Sequence, residues 1–327
     1  MKTNRLIRLV TALSTALVGL SLPVSAATKV VVGHDLWIGY SGVFIAQEKG
    51  YFKEAGLDVE LKPFSNPGET LPAMAAGKLD IGLTTLQNLV LLNGTSDTSA
   101  VTIGLIDASN GADAIVAKTS IKDFAGLKGK KVGATIGEVN HFLLLVGLEK
   151  AGLKESDIVL TNMSADDAGA AFVAGQLDAA VTWEPWVTKA KSAGGHTVFT
   201  SAEIPDTIMD CIAVPKTSLQ SKRATYAAFI AAIDKGVAYL RKSPDESYPL
   251  IAKYLGASNE DVKGMLEGDK VYALSDNRTL FGTSGTTAPI YTTLGRIINF
   301  TKGKGLIQRD VAPASVVDAS IIRASKL

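Results

Sequence analysis

Short apolar runs and amphipathic stretches follow one another along the chain in a regular order. Lys29–Gly33, Leu57–Leu61, Leu79–Leu83 and Val101–Ile106 have the length and apolar character of buried strands. Between them, Gly42–Lys49, Glu69–Ala76 and Leu86–Leu92 read as helices, with Thr84 and Thr85 standing where an N-cap belongs. The same order then returns. Lys130–Ala134, Asp157–Thr161 and Leu177–Val181 read as strands, and Phe142–Ala151 and Asp166–Ala174 as helices. A return strand, Asp210–Pro215, follows. Beyond it the pattern is helical: Tyr226, Phe229, Ile230, Ile233, Val237 and Leu240 recur at helical spacing and predict one buried face, and Pro289–Phe300 predicts another helix.

The return is a duplication. Ala76-Gly77-Lys78-Leu79-Asp80-Ile81-Gly82-Leu83-Thr84-Thr85 is echoed by Ala174-Gly175-Gln176-Leu177-Asp178-Ala179-Ala180-Val181-Thr182-Trp183, with Ala, Gly, Leu, Asp and Thr in register. Glu54–Leu61 is echoed by Lys150–Leu160, and Asp113–Lys118 by Asp210–Lys216. Helix–Gly–strand junctions look alike in many α/β proteins, but three echoes in one order favour duplication. The period is too long for a solenoid. The expected fold class is therefore α/β: two lobes, each an open sheet flanked by helices, presenting their strand ends to a shared cleft. The expected segments are lobe one at 28–110 with 212–327 and lobe two at 111–211, joined by a two-stranded hinge near 107–113 and 205–210.

Composition bounds the function. With 327 residues, 46% apolar and 20% charged, the chain has material for two cores, and its net charge of +1 predicts no nucleic-acid binding. Met1–Ala26 has the form of a secretory signal: Lys2, Arg5 and Arg8, then apolar Leu9–Leu20, then Val24-Ser25-Ala26 for cleavage. The apolar stretch is short for a membrane anchor. The expectation is an exported, periplasmic protein that does not span the membrane after signal removal. The single cysteine, Cys211, excludes an internal disulfide and reads as a small core residue. Only His34, His141 and His196 exist, with no metal-ligand spacing, no Gly-rich phosphate loop and no G-x-S-x-G elbow. No metal, cofactor or catalytic residue is expected.

Gln47–Phe52 with Ala55-Gly56-Leu57, the phrase Ala76–Gly82, Asp123 through Val132, His141 with Leu144-Leu145, and Trp183-x-Pro185 resemble, in that order, the nitrate/sulfonate/taurine family of periplasmic solute-binding proteins of ABC importers, its taurine branch above all. The resemblance covers nearly the whole mature chain. It implies the two-lobed periplasmic-binding-protein fold of type II. It also implies a monomer that closes on a small solute and delivers it to a permease with its ATPase.

Carried onto this chain, the resemblance implies ligand contacts at Trp37, Tyr40, Thr84, Thr85, Asn110, Asp113, Glu138, His141, Trp183, Glu184 and Asp210. Matching positions of the taurine branch carry acids at Asp113 and Asp210 but not at Glu138 and Glu184, and none of these positions carries Lys or Arg. Acids with tryptophans predict a small amine, amidine-like or zwitterionic solute, its positive group among Glu138, Glu184 and Asp210, with Trp37 and Trp183 sandwiching a cation or planar group. Each residue has a plainer alternative. Glu184 would pair with another lobe residue, Glu138 would favour a helix first turn, and Thr84 and Thr85 would cap their helix. Asp113 and Asp210 would cap turns or hold the hinge, His141 would offer only its backbone, and the tryptophans would fill the core. Asp35 is too weakly placed to include. A sulfonate or nitrate held by backbone N–H groups, a pyrimidine-precursor-type enzyme and a sensory binding partner remain the alternatives.

Overall fold

The computed structural model describes residues 26–325, so Met1–Ser25 of the expected export segment lies outside the described residues. Among the described residues eleven strands form two sheets. They are β1 (Thr28–His34), β2 (Leu57–Pro63), β3 (Ile81–Thr85), β4 (Ala100–Ser109), β5 (Ala114–Lys118), β6 (Lys131–Ala134), β7 (Val159–Asn162), β8 (Ala179–Thr182), β9 (Gly195–Thr200), β10 (Met209–Pro215) and β11 (Asp269–Val271). The first sheet runs β11-β4-β10-β3-β1-β2 and the second β7-β6-β8-β5-β9.

The two orders superimpose. β2-β1-β3 and β7-β6-β8 are parallel triplets, and each is extended by an antiparallel pair, β10-β4 in the first sheet and β5-β9 in the second. The echoing segments Asp113–Lys118 and Asp210–Lys216 thus supply equivalent strands of opposite sheets. The chain passes between the sheets twice, once between β4 and β5 and once between β9 and β10. Only β11 has no counterpart.

The repeated phrase does the same work in both places. Gly77 and Gly175 end their helices at φ 71° and 75°, a conformation in which a Cβ would be strained. The recurring aspartate then clamps the next strand to the first of its triplet. Asp80 accepts the Val31 N–H at 2.8 Å and Asp178 the Lys131 N–H at 3.0 Å, and each pairs with a lysine, Lys222 and Lys118 respectively. These carboxylates are structural.

The helical stripe of the third part forms as its spacing predicts. Tyr226, Phe229, Ile230, Ile233, Val237 and Leu240 are all buried on helix Arg223–Lys242. That helix lies so close to helix Ser41–Glu48 that a Cβ on Gly236 would sit 2.1 Å from the Gly42 carbonyl oxygen. Cys211 is fully buried, with a free thiol. Among the described residues no helix is long and apolar enough to cross a membrane.

One local expectation changes in a way that matters for the site. The stretch from Asp107, expected to lie beyond the strand Val101–Ile106, continues as strand to Ser109. β10 pairs with it on one side (Asp210 opposite Asp107) and β11 on the other (Val271 opposite Asp107). With both edges hydrogen-bonded the strand persists, and it carries Asp107 into the interior.

Candidate functional site

The strand ends of the two sheets face one another across a narrow space. Asp35 and Trp37 enter it from the loop after β1, Thr85 from the end of β3, Asp113 from the start of β5, Trp183 from the loop after β8 and Asp210 from the start of β10, while Pro67, Val139 and Ile208 fill the gaps. Thr85 caps helix Leu86–Thr95, accepting the Asn88 N–H at 3.2 Å, so capping fixes the hydroxyl that borders the space.

Carboxylates dominate this space. Asp35, Asp107, Asp113 and Asp210 are 3%, 0%, 2% and 4% exposed. Tyr40 donates its hydroxyl to Asp210 at 2.9 Å, and Trp37 donates Nε1–H to Asp107 at 2.8 Å. Tyr40 therefore meets the cavity through Asp210. Asp269, brought in by β11, has neither carboxylate oxygen hydrogen-bonded, and Asp35 Oδ1 is likewise without a partner. No lysine or arginine among the described residues comes within ion-pair distance of any of the five.

Removing carboxylates from water without a counter-charge penalises the ionised form. Burial accordingly pushes Asp113 up to about 7 and Asp210 up to about 6. Asp35, Asp107 and Asp269 are raised well above the usual carboxylate range, by burial first and then by the neighbouring acids. Asp107 and Asp210 sit against each other, so a proton between them relieves their repulsion. Burial thus favours the protonated form of these acids. Among the described residues no group of three or more His, Cys, Asp or Glu is arranged to hold a metal ion.

Several expected contacts lie elsewhere. Glu184 faces an outer crevice, and its carboxylate accepts both the Thr188 N–H and the Thr188 hydroxyl at 3.0 Å. Its carboxylate serves the first turn of helix Trp186–Ser192 and does not border the space that Asp210 lines. His141 is engaged at both ring nitrogens, by the Gly137 N–H at 3.2 Å and Glu155 at 2.8 Å. Glu138 is pushed up to about 7 by burial but meets Asn88 at 2.6 Å outside the cavity wall. Asn110 is exposed, with its N–H on the Gly268 carbonyl. Thr84 is buried with an unpartnered hydroxyl behind Thr85. Trp37 and Trp183 meet at 64°, edge to face, which leaves no parallel slot for a planar group.

The residues missed by sequence reading are Asp35, Asp107, Asp269 and Asp166. The last accepts Nε1–H from both Trp183 and Trp186, at 3.1 and 3.0 Å. Of these only Asp35 had a local signal, its place in an aromatic loop after a strand.

Known proteins of similar sequence and shape fit this picture. Residues 37–247 match the family described as NMT1/THI5 like. A binding protein of Brucella abortus (strain 2308) is 27% identical over 80% of this chain and 84% of its own length. The taurine-binding periplasmic protein of Escherichia coli (strain K12) is 25% identical over 80% of this chain and 83% of its own. Among solved structures, the alkanesulfonate-binding protein of Xanthomonas axonopodis pv. citri bound to MOPS superimposes with a TM-score of 0.76 at 18% identity, over 90% of this chain and 99% of that one. The match over residues 37–247 of 327 takes in the whole second sheet and four strands of the first, and on it the chain belongs to the NMT1/THI5-like family.

Proposed function

We propose that this protein is the periplasmic solute-binding component of an ABC importer, capturing a small cationic or zwitterionic nitrogen compound between its lobes and delivering it to a permease. The importer role is supported by relatives named as binding proteins, one of them periplasmic and taurine-binding, and by the export-like segment at 1–26. The two passages of chain between the sheets, near 107–113 and 205–210, act as the hinge. Lobe one is 28–110 with 212–327, lobe two is 111–211, and Asp210 stands at their boundary.

One observation carries the charge of the ligand: Asp35, Asp113 and Asp210 are buried around one space, with Asp107 buried behind Asp210, and no cation is paired to any of them. An amine or amidinium entering that space replaces the protons and neutralises the repulsion. Asp35 and Trp37 come from one lobe and Asp113 and Trp183 from the other, so a bound cation touches both and favours the closed population. The working site is Asp35, Trp37, Tyr40, Thr85, Asp113, Trp183 and Asp210. The role is that of a receptor and not an enzyme.

Mass spectrometry of small molecules released from gently purified protein, with calorimetric titration of ethanolamine, benzamidine, taurine, methanesulfonate and nitrate, tests this. Binding confined to compounds bearing a positive nitrogen is expected. Tight binding of nitrate or methanesulfonate with none of the amines would overturn it.

A further inference from the structure

Glu138 precedes helix Val139–Lys150 on the second-sheet side, yet its carboxylate contacts belong to the first-sheet side. Asn88 on helix Leu86–Thr95 donates Nδ2–H to Glu138 Oε2 at 2.6 Å, and the Gly68 N–H, in the turn Pro67–Glu69, faces the same carboxylate. Gly68 is open where Glu138 arrives: a Cβ there would lie 2.1 Å from Oε1. On its own side Glu138 is anchored only through its backbone, its N–H on the Thr135 carbonyl and its carbonyl on the Phe142 N–H. It does not border the cavity. The flanking contact between the two sides is apolar, Phe142 edge to face on Phe300 with centroids 4.9 Å apart, and the Lys304–Glu149 ion pair lies further out.

We infer that Glu138 is a closure latch: a positioning residue that holds the lobes shut by inserting its carboxylate into the notch left by Gly68 and taking the Asn88 amide. Its hydrogen bonds to the opposite side exist only while the lobes touch. In an open protein the same carboxylate is hydrated, and Asn88 and Gly68 are free. Charge-assisted hydrogen bonds are the stronger kind, and here they offset part of the cost of burying Glu138, which burial still dominates. Because they vanish as the lobes part, the latch governs how long the closed form lasts and leaves solute encounter with the open cleft alone. The inference rests on the cleft being one that closes, not on the charge of the ligand.

The test uses the full chain without ligand. Spin labels at Ser65→Cys and Asp167→Cys sit on opposite walls of a second crevice beside Trp183, lined by Phe64, Glu69 and Asp166, while the native Cys211 is fully buried and unlabelled. The distance distribution reports open and closed populations. Glu138→Ala, Asn88→Ala and Gly68→Ala are each expected to cut the short-distance population about tenfold. The double variant Glu138→Ala/Asn88→Ala should go no further than either single change, as for two halves of one contact. Glu138→Gln, which keeps an acceptor oxygen, should fall between. An unchanged distribution in Glu138→Ala, additive effects in the double variant, or a parent protein with no short-distance population would each overturn the latch. No amine enters the measurement, so failure here leaves the ligand reading standing, and failure of the ligand reading leaves the latch standing.

Discussion

Trp37 and Trp183 meet edge to face across the cleft, ring centroids 6.0 Å apart and planes at 64°. Each ring is held from behind by a carboxylate of its own lobe, Trp37 by Asp107 at 2.8 Å and Trp183 by Asp166 at 3.1 Å. Both rings border the inner acidic space on one side and the outer crevice on the other. The pair is the wall between them, and the Trp37 N–H ties it to Asp107, one of the acids that set the charge of the site.

Trp37→Phe keeps most of the wall but removes the N–H that Asp107 accepts. A fully buried carboxyl then loses its best donor. The variant should lose about 1–3 kcal/mol of stability in denaturant unfolding. An unfolding midpoint equal to that of the parent protein would show that Asp107 finds another partner.

Asp210→Asn keeps an acceptor for the Tyr40 hydroxyl and removes a charge from beside Asp107. Affinity for the tightest-binding amine of the titration panel should fall tenfold or more, by about 1.4 kcal/mol or more. Stability at pH 8 should rise, since a repulsion has gone. The opposing signs separate a binding role from a structural one.

Asp113 and Glu138 are held up to about 7 and Asp210 to about 6, against ordinary values of 3.8 for Asp and 4.5 for Glu. Between those limits the folded, ligand-free protein binds more protons than the unfolded chain. The contribution to stability is full below the ordinary values and is lost as pH rises through about 6–7. Denaturant unfolding of the ligand-free protein should therefore give a lower stability at pH 8 than at pH 5. Amine binding near pH 6 should release protons, measured by calorimetry in buffers of different ionisation enthalpy.

Gly236→Ala tests the packing of helix Arg223–Lys242 on helix Ser41–Glu48. The added Cβ would meet the Gly42 carbonyl oxygen at 2.1 Å, so the helices must separate. A loss of about 1–3 kcal/mol is expected. Glycine at 264, on helix Asn259–Glu267 with nothing within 4 Å of an added Cβ, is the control, where alanine should be neutral or stabilising.

The elements legible from the residues are those built from local chemistry. Thr85 caps its helix because a hydroxyl before an apolar helical run has an N–H to accept. The glycines at 77 and 175 stop theirs because only glycine is unstrained there. The echo of Asp113–Lys118 by Asp210–Lys216 correctly pairs equivalent strands. The acids are different. Glu184 and Asp107 are indistinguishable in sequence terms, both polar residues at a strand end, yet one caps a helix in an outer crevice and the other is sealed in the interior.

The sequence by itself determined the duplicated α/β plan, the place of each strand end and the shortage of cations near them, since these follow from periodicity, turn chemistry and residue identity within short spans. Only the tertiary structure decided which acids share a space. That depends on β11 pairing with β4 across about half the chain, on Glu184 meeting Thr188, and on the two sides meeting so that Glu138 reaches Asn88. Each is a contact between segments distant along the chain, and no local pattern encodes the direction in which a side chain will point once they meet.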